Sequence, residues 1–238
     1  MISLIVPTYN ERGNIEPLVE RAGAALLAAG EEFEVIIADD CSPDGTAQEV
    51  RRLAADQRPW LRLLARENER DLSTAVAAGW RIARGDILGC MDADLQHPPE
   101  ILPRLLAELR QSGAEIVVGS RHLPGGGMSD WGVARRFISW TARRLSAAVL
   151  PGLLQRVSDP MSGFFLLRAA VLARASLDPI GYKILLEVLA RGEYEHVAEV
   201  PFVFERREKG GSKMNARTAL LYAVHLRRIR RAWRERTP

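Results

Sequence analysis

Asp92 and Asp94 stand one residue apart in Met91-Asp92-Ala93-Asp94-Leu95-Gln96, directly after the apolar run Ile87-Leu88-Gly89-Cys90. The run reads as a buried strand, and the carboxyl ends of strands are where open α/β sheets take ligands. Alternate residues of an extended segment face one side. That spacing predicts Asp92, Asp94 and Gln96 around one hard cation. An all-oxygen set suits Mg²⁺ or Mn²⁺, and Mg²⁺ takes one or two carboxylates plus substrate phosphates. The chemistry implied is a metal-bridged diphosphate. The plainer alternative is two solvated carboxylates in a turn, where Asp is common.

Four further groups carry chemistry in principle. Val6-Pro7-Thr8-Tyr9-Asn10-Glu11 offers an aromatic face and a carboxylate to a nucleobase, or is an ordinary capping loop. Ile37-Ala38-Asp39-Asp40 puts carboxylates at a strand end, where they accept from ribose hydroxyls or base N–H groups. A solvated turn is the alternative. No Gly-x-Gly-x-x-Gly follows the first strand, so the usual dinucleotide site is unsupported. Ser120-Arg121 and Arg135 bracket a glycine-rich loop, and the planar Arg fork suits phosphate oxygens. A surface charge is the alternative for any single Arg. Arg206-Arg207 and Gly210-Gly211-Ser212-Lys213 form a basic loop suited to closing over a diphosphate and neutralising the leaving charge. Its spacing is not that of a P-loop, and a plain polar connection is the alternative.

These groups need a scaffold. Apolar runs at 2–6, 33–38, 61–64, 87–90 and 115–119 read as strands, alternating with helices at 14–29, 46–55, 72–83 and from 98. Thr46 is expected to cap the second of these. Alternation of this kind implies βαβ units and a mostly parallel sheet flanked by helices. After Arg121, Pro124-Gly125-Gly126-Gly127 is expected to hold no regular element. Residues 131–150 read as a helix, with Ile138, Ala142, Leu145 and Val149 on one face. A short strand is expected at 162–167, and an edge strand at 197–205, broken by Pro201. The last helix, 216–233, gathers Tyr222, Leu226, Ile229 and Trp233 on one face, with Arg227, Arg228, Arg230, Arg231 and Arg234 elsewhere. It fits an interfacial helix on an anionic membrane, or a helix packed on its own domain by the same face. The Arg content tilts the reading towards the membrane.

The 238 residues fit one large α/β domain, or one domain with a tail. A net charge of +3 does not imply general polyanion binding; Arg is dense only at 135–144 and 206–236. A nucleic-acid-binding scaffold leaves the paired carboxylates without a purpose and ranks last, so no nucleic-acid partner is expected. Cys41 and Cys90 read as small buried hydrophobes of a reducing compartment. No signal peptide is expected, and no apolar run reaches the ~20 residues of a membrane span.

In order and spacing the motifs resemble glycosyltransferase family 2, and more narrowly the dolichyl-phosphate (polyprenyl-phosphate) mannose synthases. The markers run from Val6-Pro7-Thr8-Tyr9-Asn10-Glu11 through Asp39-Asp40-Cys41-Ser42-Pro43-Asp44-Gly45-Thr46 and Met91-Asp92-Ala93-Asp94-Leu95-Gln96-His97-Pro98-Pro99-Glu100. Gly119-Ser120-Arg121, Asp159-Pro160-Met161-Ser162-Gly163-Phe164-Phe165 and Gly211-Ser212-Lys213 follow. The resemblance implies an α/β GT-A, Rossmann-like fold over 1–215, with 132–154 an amphipathic acceptor or interface region and 216–238 a basic amphipathic helix. It implies inverting transfer of mannose from GDP-mannose to a polyprenyl monophosphate, with Mg²⁺ or Mn²⁺. UDP-glucose or another nucleotide sugar, or a hydroxyl acceptor, are the alternatives.

By the same resemblance Pro7, Tyr9, Glu11, Ala38 and Asp40 line the nucleoside pocket. Asp92, Ala93, Asp94 and Gln96 hold the sugar diphosphate, with Asp92, Asp94 and Gln96 on the metal. Arg121, Arg207 and Lys213 contact the donor diphosphate, and Arg121 and Arg135 the acceptor phosphate. The catalytic set implied is Asp92, Asp94, Arg121 and Asp159. Asp159 stands where hydroxyl-using relatives keep a base, with an orienting part as the alternative. The chain departs from the pattern at Arg70-Asp71-Leu72-Ser73-Thr74-Ala75, where relatives carry a glycine-rich segment. The expected location is cytoplasmic, peripheral on the cytoplasmic membrane face, held by amphipathic helices or by a small membrane-anchoring subunit.

Overall fold

The structure, a computed structural model, describes residues 1–67, 69–128, 133–205 and 216–236, with the backbone alone at 133–138, 216, 217 and 236. Strands β1 (Ile2–Thr8) and β2 (Phe33–Asp39) are buried at every position. Continuous apolar runs of this kind arise when helices cover both faces of a parallel sheet. Successive side chains point to opposite faces. Leu4, Val6, Val35 and Ile37 accordingly join one core, under α1 (Arg12–Ala28) and α4 (Leu102–Gln111). Ile5, Ile36 and Ala38 join the other, with residues of α3 (Leu72–Arg81), α7 (Ile184–Arg191) and α8 (Ala216–Arg236).

With β3 (Leu61–Ala65), β4 (Ile87–Cys90), β5 (Ile116–Ser120), β7 (Phe165–Arg168) and β8 (Val197–Pro201), the sheet has seven strands in the order β3-β2-β1-β4-β7-β5-β8. All neighbours are parallel except those of β7, which runs antiparallel between β4 and β5. The mostly parallel sheet flanked by helices is the expected one. Gly89 admits β7 closely: a Cβ there would meet Leu166 Cδ2 at 2.8 Å and Leu4 Cδ1 at 3.0 Å. β8 lies at the edge, as Pro201 suggests, and its continuation β9 (Val203–Phe204) leaves the main sheet to pair with β6 (Gly127–Met128).

Several expectations change. The glycine loop does hold a regular element, since Gly127 begins β6. A Cβ at Gly126 would stand 2.8 Å from the Ser120 carbonyl oxygen, so this glycine serves close backbone approach rather than looseness. Cys41 is exposed and at φ 52°, in the turn after β2, while Cys90 is buried. Thr46 is the first residue of α2 (Thr46–Ala55), and the Asp44 carboxylate takes its N–H at 3.0 Å. Two further helices, the short α6 (Leu153–Arg156) and α7, are not among the expected elements.

The largest change concerns α8. Tyr222, Leu226, Ile229 and Trp233 are at most 5% exposed, packed into the second core. Tyr222 Oη donates to the Ala142 carbonyl of α5 (Val133–Val149) at 2.8 Å, and Trp233 Nε1 to the Pro151 carbonyl at 2.9 Å. His225 Nε2 meets Glu187 Oε2 on α7 at 2.9 Å. The apolar face is thus used by the domain itself, each side chain contributing about 1.5–3 kcal/mol by burial, and does not enter a membrane. A second apolar pair, Leu220 (66% exposed) and Val224 (37%), looks outward. On α5, Leu145 also faces solvent.

Candidate active site

The topology collects the motifs. β2, β1 and β4 are consecutive and parallel, with Pro7 level with Ala38 and Thr8 level with Asp39. The carboxyl end of β5 opens on the same edge. Because β7 is antiparallel, the segment entering it, 159–164, joins them there. Tyr9, Asp40, Asp92, Gly163 and Arg121 therefore share the edge at which open α/β sheets take ligands.

The two carboxylates ending β2 divide their work. Asp39 accepts from Thr8 Oγ1 at 2.9 Å, Ser42 Oγ at 2.5 Å and the Ser42 N–H at 3.0 Å, and so builds the turn. Asp40 is 4% exposed; its Oδ1 accepts from Arg66 Nη1 at 2.7 Å and its Oδ2 from the Asp71 N–H at 2.8 Å. Burial pushes the Asp40 carboxyl up and Arg66 pulls it partly back, leaving it at about 6. Arg66 also pairs with Glu69 and donates to Thr74 Oγ1 at 2.7 Å. Arg66 belongs to no sequence motif, so nothing in the local pattern marks it as the partner of Asp40. Arg70 lies over the Tyr9 ring at 4.9 Å. Asp71, in the departing segment, takes the Thr74 N–H at 3.1 Å and the Gly181 N–H at 2.5 Å. The start of α3 is thereby held by a carboxylate.

The paired carboxylates follow β4 in a turn, not an extended segment. Leu95 has φ 61°, and Asp94 Oδ1 accepts from the Gln96 N–H at 3.2 Å. Pleat alternation is therefore not what orients Asp92, Asp94 and Gln96. Ala93, Asp94 and Gln96 are buried, while the Asp92 side chain is 31% exposed. Gln96 Nε2 donates to the Glu205 carbonyl and the Glu205 N–H to the Gln96 carbonyl, each at 2.9 Å. This clasp brings the residue before the basic segment up to the D-x-D turn.

Among the described residues no group of three or more His, Cys, Asp and Glu side chains could hold a metal. A two-carboxylate Mg²⁺ site completed by phosphates is a smaller set. A Cβ at Gly163 would stand 3.0 Å from both Asp92 carboxylate oxygens. Glycine thus lets the 163 backbone lie close against this carboxylate without crowding it, and the hard oxygen donors of Asp92 and Asp94 suit Mg²⁺ or Mn²⁺.

Asp92's backbone N–H donates to His97 Nδ1 at 3.1 Å. His97 is 2% exposed, and burial pushes its imidazole down to about 3, so the ring is neutral.

Arg121 forms a buried bidentate pair with Asp159. Nε reaches Oδ2 at 2.6 Å, Nη2 reaches Oδ1 at 2.7 Å, and the Arg121 N–H adds a third bond to Oδ2 at 3.1 Å. Burial pushes the Asp159 carboxyl up, but the guanidinium outweighs it and holds the group below the ordinary carboxylate range. Asp159 is 0% exposed, with both oxygens on Arg121. That geometry suits an orienting group rather than a base. Glu199 of β8 holds the preceding turn through Ser158 Oγ at 2.8 Å and the Asp159 N–H at 3.2 Å. Beside this pair a cleft of about 390 Å³ is lined by His122, Met128, Ser139, Trp140 and Arg143. Arg143 Nε donates to the Ser158 carbonyl at 2.9 Å. The Arg135 side chain, Arg207 and Lys213 lie outside the described residues.

Residues 3–175 match the family described as Glycosyl transferase family 2. The chain is 41% identical over 228 residues to a dolichol-phosphate mannosyltransferase of Pyrococcus furiosus, over 96% of this chain and 63% of that one. It thus spans less than two thirds of that relative's length. It is 40% identical over 219 residues to an undecaprenyl-phosphate mannosyltransferase of Micrococcus luteus, over 89% of this chain and 86% of the other. A glucosyl-3-phosphoglycerate synthase of Mycobacterium tuberculosis, crystallised with Mn²⁺, UDP-glucose and phosphoglyceric acid, superposes with a TM-score of 0.71 at 19% identity, over 96% and 78% of the two chains. At that identity the likeness speaks for the fold alone. On the family match and 40–41% identity to the two mannosyltransferases over 89–96% of its length, the chain belongs to glycosyl transferase family 2.

Proposed function

We propose that this chain transfers a mannosyl group from GDP-mannose to a polyprenyl monophosphate, with inversion at the anomeric carbon. What supports the reading most is 40–41% identity over most of the chain to two enzymes named dolichol-phosphate and undecaprenyl-phosphate mannosyltransferase. The geometry agrees with it. Tyr9, Glu11 and Asp40, with Pro7 and Ala38 behind them, would take the nucleoside. Asp92 and Asp94 would hold the cation and sugar diphosphate, with Ala93 and Gln96 shaping the turn. A bound Mg²⁺ or Mn²⁺ supplies positive charge for the departing diphosphate.

The acceptor needs orientation more than activation. A phosphate monoester is already anionic at neutral pH, its second pKa being about 6. Its oxygen forms the new bond to the anomeric carbon as the bond to the GDP oxygen breaks, and no proton need leave the nucleophile. A strong base is then unnecessary, in keeping with an Asp159 engaged by Arg121. The cleft of His122, Ser139 and Arg143 beside Arg121 would seat the acceptor phosphate, with Arg135 nearby in sequence, and Met128 and Trp140 would meet the first isoprenoid carbons. Arg207 and Lys213 would neutralise the leaving diphosphate.

A lipid acceptor places the reaction at a membrane surface. Among the described residues no helix is long and apolar enough to cross one. The outward features suited to contact are Trp140 and Leu145 on α5, and Leu220 and Val224 ahead of Arg227 and Arg231 on α8. A small anchoring subunit is the alternative means of attachment.

The test is direct: purified protein, a panel of radiolabelled nucleotide sugars, polyprenyl phosphate and Mg²⁺ or Mn²⁺. A mannolipid formed from GDP-mannose, and lost in Asp92→Ala and in Asp94→Ala that still fold, is the expected result. Transfer from UDP-glucose instead, or onto a soluble sugar without lipid, would overturn it.

A further inference from the structure

We infer that His97 is a positioning residue: its Nδ1 holds the backbone N–H of Asp92 and thereby sets the direction of the Asp92 carboxylate. The inference rests on the reading of Asp92 as a donor-diphosphate and cation residue. It adds a residue that touches neither ligand.

Asp92 follows the last strand residue of β4 by two positions, where the sheet ladder no longer fixes the chain. Its N–H donates to His97 Nδ1 at 3.1 Å. The accepting nitrogen must be unprotonated, so the ring proton sits on Nε2. A single tautomer follows from the geometry.

The ring itself is immobilised. It stacks on Phe164 at 5.2 Å and 24°, and meets Phe202 and Phe204 edge-on at 5.6 and 5.2 Å. Three aromatic contacts at these distances are each favourable and direction-dependent. Phe164 directly follows Gly163, where a Cβ would stand 3.0 Å from both Asp92 carboxylate oxygens. Phe204 is the last residue of β9, and Glu205 after it is clasped to Gln96. One imidazole thus joins the D-x-D turn, the glycine facing it and the strand leading to the basic segment. Groups that orient metal ligands from behind typically alter metal affinity 10- to 100-fold when removed.

The packing role and the hydrogen-bonding role of this ring separate by substitution. His97→Asn places a carbonyl oxygen close to where Nδ1 stands; His97→Gln places the same group near Nε2, out of reach of the Asp92 N–H. His97→Phe keeps the ring and loses the acceptor. Mn²⁺ binding in the presence of GDP, read by electron paramagnetic resonance on the full chain, is the measurement, with thermal melts alongside.

The expected order is His97→Asn within about threefold of the parent, and His97→Gln and His97→Phe weaker by about tenfold or more. A role in packing alone predicts the reverse, Phe best and the smallest side chain, Asn, worst. That order, or parental Mn²⁺ binding in all three, would overturn the inference. Should His97→Phe fail to fold, the Asn and Gln pair still decides. Asp92→Asn run in parallel separates the two levels. Unchanged Mn²⁺ binding there removes the underlying reading of Asp92. Lost binding there with parental binding in His97→Gln removes only the role given to His97.

Discussion

Asp159→Asn tests the assignment of Asp159 as the partner of Arg121 rather than a base. The substitution keeps the shape of the side chain and removes its charge. It leaves a guanidinium that is 7% exposed facing a neutral amide. Removing one partner of a buried ion pair typically costs 3–5 kcal/mol, because the remaining charge stays desolvated. For a domain of this size each kcal/mol moves Tm by about 2–4 °C, so a fall of about 10 °C is expected at pH 7. The pH dependence supplies a sign. The folded Asp159 carboxyl lies below its ordinary value of 3.8. Its contribution is therefore fully present above that value and disappears as pH falls through the lower folded one. Urea unfolding of parent and variant between pH 7 and pH 3 should show a constant gap that closes only below 3.8. A gap under about 1 kcal/mol at pH 7, or a stable variant whose kcat loses its acidic limb, would refute this assignment and restore the base.

Three more outcomes follow from the site and its surroundings. Gly163→Ala puts a methyl 3.0 Å from both Asp92 oxygens, and should raise the apparent KM for Mn²⁺ about tenfold; an unchanged metal titration would count against that crowding. Asp40, with a folded pKa of about 6 against the ordinary 3.8, is protonated below that point. Folding support from this group is thus present at low pH and lost as pH rises through 6, whereas donor binding should weaken as pH falls through 6. A GDP-mannose KM that stays flat from pH 5 to pH 8 contradicts the assignment. Leu220→Asp with Val224→Asp should weaken sedimentation with anionic vesicles several-fold at unchanged Tm, while Leu226→Asp, 2% exposed in the parent, should unfold the chain by burying a charge. Equal vesicle binding by the double variant would argue against α8 as a membrane-facing element.

Local signals reached the first half of the sheet because β1, β2 and β4 are buried runs, largely apolar, that lead into polar turns. They did not reach the inner geometry of the turns. Asp92, Asp94 and Gln96 look alternately spaced in the sequence, yet Leu95 at φ 61° breaks that alternation, and nothing nearby in sequence announces it. Asp39 and Asp40 are adjacent and of one type, but only a partner 26 residues on, Arg66, separates their roles. The Arg121–Asp159 pair joins positions 38 apart, and pairings of that kind leave no trace in local pattern. Helix α8 was ambiguous for a definable reason: an apolar face beside many Arg residues describes both a membrane-bound helix and a docked one, and only α5 and α7 show which.

The antiparallel insertion of β7 has a consequence for synthesis. β5 is complete at Ser120, yet both strands that bond to it, β7 and β8, begin only at Phe165 and Val197. At roughly 5–20 residues per second on the ribosome, the Ile116-Val117-Val118 stretch waits several seconds with both edges unpaired. A nascent chain paused between these points exposes a β-branched template of the kind that chaperones shield, and the translation rate across 121–165 becomes a determinant of yield.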